Sequence, residues 1–173
     1  MRRTVVAVLV LAALAVAVAG WRSLSRGPSA AAGQGGGPSA APEPQYTQTS
    51  SRNGVFVTAT LLRKGESEPG RLAFRLTLET HSGDITAYNP AAGAKLVTAD
   101  GRTITEGFSW NPESENSHHR FGILSLPDKD GEGNPYVGAD SSSLKLILAG
   151  LKGGPAHSFA WGKLELAAWE VAP

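Results

Sequence analysis

"RLAFRLTLET", Arg71 to Thr80, sets Leu72, Phe74, Leu76 and Leu78 against Ala73, Arg75, Thr77 and Glu79 in strict alternation. A period of two sends successive side chains to opposite faces, so this segment predicts a strand with one buried face and one wet face. Four large apolar side chains on one face need a second layer to cover them, and a strand's natural covering layer is another sheet.

Working outward, "GVFVTATLL" (Gly54 to Leu62) has the β-branched and aromatic content of a second strand. The polar "RKGESEPG" between the two, with Gly65, Pro69 and Gly70, suits a hairpin connection. In "AKLVTADGRTITEGFSW" the dipeptide Asp100-Gly101 separates two short apolar runs and predicts a type I′ hairpin turn. Further strands are expected at "RFGILSL" (120 to 126), "SLKLILAGL" (143 to 151) and "HSFAWGKLELAAWEV" (157 to 171), the last bent at Gly162. No segment after the N-terminal run shows sustained helical spacing. The fold class predicted is all-β: an immunoglobulin-like antiparallel β-sandwich of about seven strands over residues 54 to 173, with a barrel as the alternative. The chain has no cysteine, so the inter-sheet disulfide of antibody domains is impossible and Trp110 or Trp161 is expected to pack directly on aliphatic side chains.

The N-terminal third is built differently. Arg2 and Arg3 precede the uncharged apolar run Thr4 to Gly20, so residues 1 to 22 read as a signal peptide or a hydrophobic helix anchoring the chain in a membrane. Both readings stay open, because Ala17-Val18-Ala19 is a cleavage pattern while Trp21, Arg22 and Arg26 form the flank of a retained helix. Residues 23 to 53, rich in Gly, Pro, Ala and Ser, read as a flexible linker. Either way the domain is placed outside the cytoplasmic membrane, periplasmic, extracellular or on the cell surface. Residues 1 to 53 carry five Lys or Arg against Glu43, whereas residues 54 to 173 carry 11 against 14 Asp or Glu. A mildly acidic domain lacks the basic footprint that nucleic acid requires.

The nucleophile elbow, zinc-protease, Walker and dinucleotide motifs are all missing, and no catalytic residue is assigned. Glu113 and Glu115 lie in "NPESENS", which reads as a solvated turn-rich loop. Asp128, Asp130, Glu132 and Gly133 fall on positions 1, 3, 5 and 6 of a calcium loop, but position 12 is Ala139 instead of a bidentate Glu, so a Gly-rich hairpin loop is expected there.

The histidines remain: His81, His118 and His119, and His157 at the start of the last strand. Imidazoles in an oxidising compartment suit copper or zinc, and His81 with His118 or His119 is the candidate metal set. Adjacent residues on a regular strand point to opposite faces, so only one of His118 and His119 could join His81, with Asp84 as a further oxygen donor. The competing expectation is that these imidazoles bond backbone groups where strands begin, while Arg120 pairs with Glu113 or Asp84. His81, His118, His119, Arg120 and Trp110 together form the candidate ligand-binding set.

"FRLTLETHSGDI", "ITEGFSWNPESENSHHRFGILSLP" and "LKLILAGLKGGPAHSFAWGKLEL" together resemble a group of small exported bacterial proteins of unassigned role. Their pattern is a strand ending in Thr-His-Ser, a Trp shortly before a His-His-Arg-x-Gly strand, and a closing Phe-x-Trp strand. Thr80, His81, Ser82, Trp110, His118, His119, Arg120, Gly122, Phe159 and Trp161 occupy those positions, and Asn116-Ser117 stands where glycines commonly precede the His pair. The resemblance implies an envelope or secreted β-sandwich. The expected function is a non-enzymatic, exported or membrane-tethered binding module for an unknown protein or small ligand, with a copper- or zinc-binding protein as the alternative.

Overall fold

The computed structural model describes residues 43 to 170. The apolar run and the linker up to residue 42 lie outside them, as does the choice between cleaved signal and anchor. No helix among the described residues is long and apolar enough to cross a membrane.

Among the described residues nine strands form two antiparallel sheets, more than the seven expected. The first sheet has the order β1 (Thr47–Arg52), β2 (Val55–Leu61), β3 (Arg71–Thr80), β7 (His119–Pro127), β6 (Ser109–Glu115); the second has β5 (Thr103–Ile104), β4 (Ala94–Thr98), β8 (Ser143–Leu148), β9 (His157–Gly162). One core joins them. Leu72, Phe74, Leu76 and Leu78 of β3 are fully buried together with Leu96, Leu124, Leu146, Phe159 and Trp161, as the alternation in β3 predicts. Trp161 packs against the Phe74 ring, centroids 5.3 Å apart, so its neighbour includes an aromatic ring as well as aliphatic side chains.

The folded region begins earlier than composition suggests. Thr47–Arg52, placed in the linker by their polarity, form β1. Asn53 and Gly54 both take positive φ (48° and 70°) between the paired Arg52 and Val55, which makes them the two-residue hairpin turn that Asn-Gly favours. At Asp100-Gly101 the hairpin is present but its turn differs: only Gly101 has positive φ, Gly101 N donates to Thr98 O, and Thr98 N to Arg102 O. That is a type I turn with a glycine bulge, and no type I′ turn forms there.

The end of the chain corrects a second expectation. Its last strand stops at Gly162 and Lys163–Glu170 form helix α2, the one-turn α1 being Pro90–Gly93. Lys, Leu, Glu and Ala are good helix formers, and the Glu165 carboxylate accepts from Gly162 N at 2.9 Å, reaching back to the residue before the helix as the third residue of a capping box does. Leu166 and Trp169, three apart, turn into the core, and Trp169 Nε1 donates to Leu62 O at 2.7 Å. A helix therefore shares the interior that strands alone were expected to fill.

All four sheet edges are managed. Gln48 of β1 exchanges two hydrogen bonds with the Ala160 backbone of β9, and Ser50 meets the buried His157, so these two edges are stitched together. The third edge, β5, is two residues long. On the fourth, β6 carries Pro112 and a bulge, two devices that disfavour further strand pairing.

Candidate functional site

The bulge decides what the His-His-Arg segment does. "SWNPESE", expected as a loop, is β6, pairing Trp110 with Leu124 and Pro112 with Gly122 before the register shifts at Glu113 and Ser114 meets Phe121. On an unbroken strand Glu115, five residues from Trp110, would face the opposite way. One extra residue reverses its side, so Glu115 stands opposite Arg120 on the inner face.

Arg120, only 4% exposed, is fully engaged there. Its Nε donates to Glu115 Oε1 at 3.0 Å, its Nη2 donates to the same oxygen, and its Nη1 donates to Ile85 O at 2.9 Å and to Tyr88 O. Trp110 Nε1 also donates to Glu115 Oε1, at 3.2 Å, and the guanidinium lies 6.0 Å from the Trp110 ring centre. These bonds hold the Glu115 carboxyl below the usual carboxylate range, Arg120 first and Trp110 second. Glu115 thus replaces Glu113 and Asp84, the partners expected for Arg120. Asp84 is occupied in its own turn, accepting from Thr86 N at 2.7 Å and Thr86 Oγ1 at 2.6 Å.

The three histidines take three different partners. His118 Nδ1 lies 3.2 Å from Thr80 O, His119 Nδ1 lies 3.3 Å from Glu79 Oε1, and the His81 ring meets Phe56 edge-on at 5.7 Å. Asn116 shapes the turn before them, its side-chain oxygen accepting from His118 N (2.9 Å) and His119 N (2.7 Å). Among the described residues no group of three or more His, Cys, Asp or Glu gathers in a way that could hold a metal ion. In the acidic loop, Asp130 accepts from Glu132 N and Asn134 N and pairs with Arg102 at 2.9 Å. The corner around Arg120 joins β6, β7 and the 82 to 89 loop.

A second arrangement lies on the outer face of the first sheet, where no sequence motif pointed. Phe56 and Phe121 are 45% and 40% exposed on this face. Further along this face, towards Arg71, opens a cleft of about 390 Å³ with Leu62, Ala73 and Ile123 among its lining. Arg71 and Arg75 enter it from β3, Asn111 and Glu113 from β6, and Glu66 and Glu68 from the β2–β3 loop. Arg71 Nη2 is steadied by Ser109 Oγ (2.6 Å) and Ser125 Oγ (2.9 Å), while Glu66 pairs with Arg63 at 2.8 Å. The Arg63 bond draws the Glu66 carboxyl below its ordinary value.

Protein-family models, curated proteins and solved structures give no match to this chain. The resemblance to exported bacterial proteins therefore rests on its motifs alone. The cleft draws on one loop and three strands that are far apart in the chain, and its only legible trace was the polar face of β3, where Arg75 projects.

Proposed function

We propose that the protein is an exported, membrane-tethered or secreted binding module, without catalytic activity, that takes its ligand on the outer face of the five-stranded sheet. The observation that carries this reading is the cleft: guanidinium, amide and carboxylate groups converge over an apolar floor on a face left open to water. The apolar run at residues 4 to 20 supports export. Describing the sandwich as immunoglobulin-like rests on its layering, with the chain passing between antiparallel sheets after β3, β5 and β7.

The test is a pair of photocrosslinking variants of the full chain expressed in the source cells. One carries the crosslinker in place of Asn111, in the cleft, and the other in place of Lys95, exposed on the opposite sheet. A discrete adduct from position 111 and none from 95 is the expected result. Equal labelling from both, or none from either, overturns the cleft as a binding site. Export is checked by fusing alkaline phosphatase to the C-terminus, which gains activity only outside the cytoplasm.

A further inference from the structure

We propose that the cleft on the outer sheet face binds a neutral oligosaccharide. This rests on the reading of the cleft as the binding site and adds the chemistry of its occupant.

Charge comes first. With Glu66 held by Arg63, Glu68 and Glu113 balance Arg71 and Arg75, so the cleft offers no net charge to attract a polyanion or a polycation. What it offers is hydrogen-bonding capacity of both kinds. Arg75 supplies only donors, Glu68 and Glu113 only acceptors, and Asn111 both, and none of these four makes a side-chain hydrogen bond among the described residues. Arg71 is already oriented by its two serine partners. A ligand dense in hydroxyls, each able to donate and accept, matches such a mixed set.

The sheet edges weigh against the other common extended ligand, a peptide. Peptide binding by strand addition needs an open edge, and here two edges are sewn to each other, one is two residues long and one carries proline and a bulge. A ligand on the face must instead be recognised through side chains and apolar contact. Ile123 lies in the cleft and Phe121 lies two residues along the same strand, about 7 Å away. An exposed ring at that spacing supplies a flat apolar surface for the C–H face of a neighbouring sugar unit.

The experiment uses the full chain in detergent, titrated by calorimetry with cellohexaose, N-acetylated chitohexaose and isomaltohexaose, and separately with a casein digest of short peptides. Saturable binding of at least one hexasaccharide is expected, weakened about tenfold or more by Arg75→Ala and by Phe121→Ala. Both positions are on the exposed face, so thermal melts of the variants should match the wild type. Peptide binding sensitive to Arg75→Ala, without sugar binding, overturns the oligosaccharide while leaving the cleft as the site. Binding of neither class overturns the oligosaccharide, the cleft itself being judged by the crosslinking pair, and sugar binding indifferent to both substitutions overturns the oligosaccharide reading of this cleft as well.

Discussion

Glu115 and Arg120 face one another across β6 and β7 only because one additional residue, at Glu113, turns Glu115 from the outer face to the inner face. The pair is asymmetric, with the Arg120 side chain 4% exposed and that of Glu115 38% exposed. Most of the desolvation therefore falls on the guanidinium, which is offset by bonds to Glu115, Ile85 and Tyr88.

Arg120→Met should consequently destabilise the fold strongly. It takes from the Tyr88 carbonyl its Arg120 donor, takes from the buried Ile85 carbonyl one of its two donors, and leaves Glu115 without a cation, a loss on the order of 3 kcal/mol. Glu115→Gln keeps an acceptor for Arg120 and should cost about 1 kcal/mol. Urea unfolding of the full chain measures both. Equal and small losses would mean that the corner does not hold β6, β7 and the 82 to 89 loop together.

Gly122 has no room for a side chain. A Cβ there would lie 2.8 Å from Pro112 Cα, 2.9 Å from Trp110 Cη2 and closer still to Asn111 O. Two of these neighbours are backbone of a strand already bent by its bulge, so relief requires moving β6 off β7. Gly122→Ala is expected to cost about 1–3 kcal/mol and to raise hydrogen exchange in β6 selectively.

The alternation in β3 was enough to read the buried stripe, because a period of two is a purely local signal and Leu72, Phe74, Leu76 and Leu78 all obey it, while Ala73 on the other face is buried against the expectation. Asn53-Gly54 was equally readable as a hairpin signal, but the polar residues before it resembled the linker's composition more than a strand's. The bonds between Gln48 and Ala160 that hold β1 are long-range and leave no local trace. Helix α2 was hidden because Leu164, Leu166 and Trp169 fit a bent strand about as well as a short helix, leaving Gly162 and Glu165 as the deciding cap. The pairing of Glu115 with Arg120 was not legible, because "NPESENS" has the composition of a loop and, even on a strand, a single-residue bulge inverts every later assignment without leaving a sign in composition.

The histidine set of the copper or zinc alternative gives a clear expectation. With His118 on a backbone carbonyl, His119 beside Glu79 and His81 against Phe56, the three imidazoles are committed to separate partners. Zn(II) and Cu(II) should bind no more tightly than micromolar, and His81→Ala or His119→Ala should leave the isotherm unchanged. Tight uptake abolished by both substitutions would restore the metal reading.

His157 gives the fold a pH dependence of predictable sign. Its ring is buried between β9 and β1 with Nδ1 3.1 Å from Ser50 Oγ, and burial depresses its pKa, opposed in part by the bond to Ser50 and aided by the nearby Arg52 charge. In the unfolded chain the imidazole takes up its proton near pH 6.5, before the folded chain can accept one. Stability from this residue is therefore fully present above pH 6.5 and declines as pH falls through the depressed folded value. The lowered carboxyls of Glu66, Asp84, Asp100, Glu115 and Asp130 act in the same direction, but only below the ordinary carboxylate range. Between pH 7.5 and about 5.5, the falling melting temperature should accordingly trace to His157. His157→Gln, which cannot take up a proton, should melt lower than wild type at pH 7.5 yet stay flat across that interval. A variant that keeps the wild-type slope would place the titrating group elsewhere.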